Sequence, residues 1–225
     1  MKIEKKYILE SPFWQNYFCL IPNSNVAFLS ISKNASSFLK TTAIFNATQK
    51  WVQDADIPDV HNLIGFDPEK SPYLFKYEDL SQKKKENPEL ITFAVWRDPV
   101  DRFISTYKLF FLEREFRNYF NWMGFYNRSV SFKEFLKFAE FELSKPDPAF
   151  QDEHIRRQTA YIESTDDIDF IVHMKDVYRF LDEHKVQYIR EKSNQTNSNF
   201  EKINSADIAK IKKLYKEDYS IKTNF

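Results

Sequence analysis

Val26-Ala27-Phe28-Leu29-Ser30-Ile31, then Ser32-Lys33-Asn34-Ala35-Ser36-Ser37, then Phe38-Leu39-Lys40 is the stretch on which the fold turns. The first six residues are an apolar run of the kind that lies buried in a parallel sheet. Beyond the polar turn, Phe38, Leu39, Thr42 and Phe45 recur at i, i+1, i+4 and i+7, the stripe of one helix face. The unit therefore reads strand, tight turn, helix. A helix start leaves its first N–H groups without intrahelical partners and concentrates the positive end of the dipole there. Lys33, Ser36 and Ser37 add an ammonium and two hydroxyl donors, so the turn suits an anion. The competing reading is an ordinary helix start capped by Ser32 or Asn34, with Lys33 in water. The Walker order G-x-x-x-x-G-K-(S/T) is absent, because Lys33 precedes the small residues. That order points away from nucleoside triphosphatases and kinases.

Outward from this unit the alternation continues. Residues 53–72, rich in Pro, Asp and Asn, read as an irregular connection, followed by a helix over about 77–86 beside Lys83-Lys84-Lys85. Ile91-Thr92-Phe93-Ala94-Val95-Trp96 is a second buried strand ending at Arg97-Asp98-Pro99, with Pro99 suited to the first position of a helix. In that helix Val100, Phe103, Ile104, Tyr107, Phe110 and Phe111 share a face, and Ser105 falls opposite. Residues 131–142 read as a helix, 144–152 as a Pro-containing loop, 168–172 as a third strand, 175–187 and 205–217 as helices. Strands alternating with helices predict an α/β fold with a central parallel sheet flanked by helices. No boundary divides residues 1–225, which read as a single domain.

Composition narrows the function classes. Lys plus Arg and Asp plus Glu both total 33, giving a formal net charge of zero, so a general electrostatic grip on nucleic acid is not expected. Cys19 is the only cysteine, which excludes an internal disulfide and a cysteine-based zinc site. No cluster of metal ligands stands out. No leader or membrane span is legible, which makes a cytoplasmic protein the simplest expectation. The only glycines are Gly65 and Gly124, so any loop that approaches a phosphate elsewhere must do so without glycine.

Residues Phe28 to Lys40 resemble the 5′-phosphosulfate loop of sulfotransferases that use 3′-phosphoadenosine 5′-phosphosulfate (PAPS). They are most similar to the branch containing the Golgi carbohydrate sulfotransferases, P-K-x-A-(G/C/S)-(S/T), with Ser32 in place of proline. Val95 to Tyr107 resembles the same family's 3′-phosphate motif R-D-P-x-x-R-x-x-S-x-Y at every fixed position. The competing reading makes Asp98 and Arg102 a surface pair and Ser105 a solvated residue. Shorter likenesses follow at Asp152-Glu153-His154-Ile155-Arg156-Arg157-Gln158 (family D-x-H-W-x-P-Q), Asp169-Phe170-Ile171 (D-F-I-G-K-x-E) and Leu214 to Tyr219 (L-Y-x-x-D-Y).

The resemblance implies a P-loop-like three-layer fold and a sulfotransferase that carries a sulfuryl group from PAPS to a hydroxyl of a carbohydrate or glycan, with PAP as product and no metal. It implies that Lys33, Asn34, Ala35, Ser36, Ser37 and Phe38 bind the cofactor's 5′ end, and Arg97 and Ser105 its 3′-phosphate. Lys33 is the expected catalytic cation. The proton acceptor stays open among His61, His154 and Glu78; His61 is preferred, because relatives draw a base from the region after the first helix. His154 and Arg156 are candidates for acceptor binding, and Tyr119 to Tyr126 for stacking on a sugar. Alternatives are transfer to a lipid, a small metabolite or tyrosine, a PAPS- or PAP-binding homologue without turnover, and a P-loop kinase.

Overall fold

The computed structural model describes residues 16–50, 71–112, 130–162, 164–190 and 203–225. Five strands are formed: β1 Tyr17–Ile21, β2 Val26–Leu29, β3 Leu74–Lys76, β4 Ile91–Trp96 and β5 Phe170–His173. Six α-helices occur among the described residues: α1 Ser36–Thr48, α2 Leu80–Glu86, α3 Pro99–Leu112, α4 Phe132–Leu143, α5 Val177–Glu183 and α6 Ser205–Leu214. They sort into two compact units. The sheet unit comprises the described residues up to Arg97, those from Tyr161 to Arg190, and Ile221–Phe225. The helical unit comprises the described residues from Asp98 to Ala160 and from Ile203 to Ser220.

In the sheet unit the strand order is β3-β1-β2-β4-β5. β2, β4 and β5 pair in parallel, and β1 is antiparallel to both its neighbours, so only β1 opposes the common direction. Side chains alternate between the faces. Val26, Phe28, Phe93, Val95 and Val172 pack on Leu39, Ala43 and Ile44 of α1 and Phe180 and Leu181 of α5. Ala27, Leu29, Ala94 and Ile171 pack on Leu80 of α2, Tyr161, Ile162, Ile168 and Ile221. Burial on both faces explains why β2 and β4 read as unbroken apolar runs. The result is the expected α/β sandwich of three layers.

The sheet is wider than the sequence predicts. β1 is a second apolar run, joined to β2 by a turn in which Asn23 takes φ 58° and Ser24 Oγ donates to Ile21 O at 2.7 Å. No helix separates the two strands, so strand–helix alternation gives no hint of the pair. β3 has three residues, too few for periodicity. The expected helix over 77–86 opens as a 3₁₀ turn, Tyr77–Asp79, and the one over 175–187 shortens to α5 after a 3₁₀ turn, Met174–Asp176. α1 departs from a single apolar stripe: Leu39, Lys40, Thr41, Thr42, Ala43, Ile44 and Asn46 are all buried, whereas Phe38 and Phe45 are half-buried. Residues 53–70 lie outside the described residues.

The helical unit has an aromatic core. Phe103 and Tyr107 of α3 meet Phe132 and Phe135 of α4 with ring centroids 4.8–5.5 Å apart. Ile211 of α6 and Tyr215 close the cluster. Each fully buried ring contributes on the order of 2 kcal/mol. Ser131 caps α4 through a reciprocal box with Glu134, which fixes where the helix begins. Among the described residues, no helix is long and apolar enough to cross a membrane.

Candidate functional site

The turn between β2 and α1 lies at the carboxyl end of the parallel strands, where α/β sheets open their crevices. Lys33 and Ala35 both adopt left-handed backbone, at φ 68° and 60°, with Asn34 between them at negative φ. Alternating hands turn successive N–H groups inward, the concavity that receives anionic oxygens. Glycine would take these angles freely; here an ordinary side chain does so at a cost of about 1–2 kcal/mol each. α1 starts with no side-chain cap and no acidic residue in its first turn, so neither Ser32 nor Asn34 caps it. The donors that an anion needs are therefore not taken by a capping side chain. Ser36 Oγ lies in hydrogen-bond contact with Ser30 Oγ at 3.1 Å, and Ser37 is half-buried beside it.

Two bonds fix this turn to the second strand-to-helix turn. Asn34, 2% exposed, donates its amide to Val95 O at 2.6 Å. Arg97 Nη1 donates to Lys33 O at 2.9 Å. The two sequence motifs, 64 residues apart, thus meet at one rim of the sheet. A guanidinium carries its five donors in a planar fork, the geometry that matches phosphate oxygens. Sequence reasoning placed Asn34 in the loop but not its bond to Val95.

The rest of the second motif belongs to the helical unit. Asp98 Oδ1 accepts from Val100 N at 2.8 Å and Asp101 N at 3.3 Å, capping α3. Asp98 Oδ2 accepts from Tyr219 Oη at 3.4 Å; burial and then the Asp98 charge push the Tyr219 hydroxyl up to about 12. Arg102 is no surface partner of Asp98. It is 1% exposed and donates to Arg156 O at 2.8 Å and Glu153 O at 3.1 Å. Ser105 is half-buried on α3.

Residues 151–159 form an irregular segment bonded at nearly every position. Glu142 Oε2 accepts from Asp152 N at 2.8 Å, and burial holds that carboxyl above its ordinary range against the pull of Lys145. Thr106 Oγ1 donates to His154 O, Tyr215 Oη to Ile155 O and Arg157 Nε to Leu214 O. Buried Asp218 accepts from Gln158 Nε2, Thr159 N and Thr159 Oγ1. The D-x-H and L-Y-x-x-D-Y likenesses therefore meet as one network.

Other candidates divide. His61 and Tyr119 to Tyr126 lie outside the described residues. Glu78 is exposed, 3.7 Å from Lys76 Nζ. Arg156 is buried, 2% exposed, which counts against its gripping an acceptor from solvent. Phe38 meets Tyr178 edge-on at 5.3 Å and Tyr188 at 6.1 Å. Lys40, absent from the candidates, is buried and donates to Tyr17 Oη at 2.8 Å; nearby, burial raises the Cys19 thiol to about 12. A groove of about 640 Å³ lined by Phe45, Asp182, Val186, Gln187, Tyr188 and Arg190 does not include the Lys33 turn. Among the described residues, no group of three or more His, Cys, Asp or Glu could hold a metal ion.

A family model described as "Sulfotransferase family" matches residues 16–221. No curated protein and no solved structure matches the chain.

Proposed function

We propose, from the premise that this chain belongs to the sulfotransferase family, that it transfers a sulfuryl group from PAPS to a hydroxyl of a carbohydrate. The observation that carries the reading is the 2.9 Å bond from Arg97 to Lys33 O, which joins an anion-shaped loop to a guanidinium at one rim. A nucleotide with phosphate at both ends needs two such groups side by side, and these residues fit it.

PAPS supplies an activated sulfur whose leaving group is a phosphate oxygen. The protein's part is positioning and charge. The N–H groups of the Asn34–Ser37 turn, with the Ser36 and Ser37 hydroxyls, hold the phosphosulfate end. Lys33 neutralises the charge that develops as the phosphate departs. Arg97 forks onto the 3′-phosphate; Ser105 is assigned to the same phosphate by the motif resemblance alone. Phe38 completes the cofactor-binding set. The carbohydrate acceptor rests on likeness to the Golgi branch. One family match that runs through both units supports reading residues 1–225 as one domain.

Labelled PAPS offered with a panel of glycans, phenols, lipids and tyrosine peptides tests this reading. Label on a glycan is expected. Label only on another class would overturn the carbohydrate assignment, and PAP binding without transfer to any of them would indicate a binding protein.

A further inference from the structure

We propose that Asn34 is a positioning residue that couples the two phosphate-binding turns, so that recognition of the 3′-phosphate at Arg97 depends on how Asn34 holds the loop at Lys33. The inference rests on the sulfotransferase reading. It adds a role at a loop position, between Lys33 and Ala35, that the family pattern P-K-x-A leaves open.

The parallel pairing of β2 with β4 runs from Val26 opposite Ile91 to Leu29 opposite Ala94 and ends there. The Asn34 side chain takes over where the backbone ladder stops, donating to Val95 O at 2.6 Å. Asn34 is 2% exposed and Val95 1%, so water does not compete for this bond. Lys33 and Ala35, on either side of Asn34, are both left-handed, at φ 68° and 60°. Without glycine, such angles persist only where surrounding bonds over-determine them. Asn34 is the pinned residue between two strained ones.

Arg97 grips the same place. The Lys33 carbonyl and the Asn34 nitrogen belong to one planar peptide unit. Its oxygen accepts from Arg97 Nη1 at 2.9 Å, and the residue that carries its nitrogen is anchored to Val95. Both grips come from the end of β4, so Lys33 O cannot swing away from Arg97 unless Asn34 releases Val95. The Lys33 ammonium hangs from the residue whose carbonyl Arg97 holds. A nucleotide that engages Arg97 therefore meets a loop already in shape, and less of its binding energy goes into ordering that loop. With its side chain buried and its amide on Val95, Asn34 acts through Lys33 and Arg97.

Asn46, near the far end of α1, is a matched control. It is 4% exposed and donates its amide to Thr42 O at 2.8 Å and Gln187 O at 2.7 Å. Titration calorimetry of PAP and of AMP into whole wild-type, Asn34→Ala and Asn46→Ala protein separates the two kinds of buried amide. Both substitutions should lower the thermal unfolding temperature. Only Asn34→Ala should shrink the preference for PAP over AMP, by about threefold or more. Asn34→Leu fills the volume without a donor and should do the same; it carries the test if the alanine variant does not fold. A wild-type preference in a folded Asn34 variant overturns the proposal, even if both nucleotides bind less tightly, because the loop would then act on the 5′-phosphate alone. An equal fall in Asn46→Ala overturns it as well, since general loosening would explain both. Wild-type protein that binds neither nucleotide would instead sink the sulfotransferase reading, and the coupling with it.

Discussion

The loop at 32–36 and the segment at 151–159 are both irregular, and they are built in opposite ways. The first is short, bends through two left-handed residues without glycine, and is tied to β4 through Asn34 and Arg97. Its shape comes from backbone angles, and the strain is the cost of pointing N–H groups at a ligand. The second takes no left-handed residue and is fixed by side chains reaching in from α3, α4 and the C-terminal motif. One loop is shaped by its backbone angles, the other by the side chains that reach into it. Loops of both kinds carry function when a rigid scaffold positions them.

If that contrast holds, substitutions should divide by readout. Lys33→Ala removes a cation from the strained loop and should cut transfer of label from PAPS by about 10²–10³-fold, with the circular dichroism spectrum unchanged. Normal turnover would deny Lys33 its role. Arg102→Met acts on the other loop. It strands Glu153 O and Arg156 O, so stability in urea should drop by about 2–4 kcal/mol. A drop under about 0.5 kcal/mol would return Arg102 to an ordinary surface pair. The smallest effect is expected for Ala35→Gly at φ 60°. Strain relief and added unfolded-chain entropy oppose each other, leaving a net gain below about 1 kcal/mol in thermal unfolding. A clear loss would show that the left-handed turn is not strained.

What was legible in the sequence follows from range. The strand–turn–helix units around Lys33 and Arg97 are encoded within a dozen residues each, by apolar runs, Pro99 and helical spacing, and both form where expected. β1 and β3 are not encoded that way. β1 owes its place to pairing with β2, and β3 to pairing with β1 across more than fifty residues of chain. The bend at Lys33 and Ala35 is invisible because glycine, its usual marker, is missing. The burial of Arg102 is equally invisible, because its carbonyl partners lie 51 and 54 residues away. Asp152 and His154, two residues apart, could be seen as a pair, but their orientation depends on Phe110 and Thr106 from α3. The match of R-D-P-x-x-R-x-x-S-x-Y at every fixed position is the signal that would have marked Arg102 as more than a surface charge.

The central claim is that Lys33 and Arg97 share one nucleotide. Titration calorimetry of PAP and of AMP, which lacks the 3′-phosphate, into wild type and Arg97→Ala tests it directly. The account predicts that wild type prefers PAP by at least about tenfold, the value of one well-placed charged hydrogen bond, and that Arg97→Ala erases the preference. Equal affinities in wild type, or a preference that survives the substitution, would contradict it.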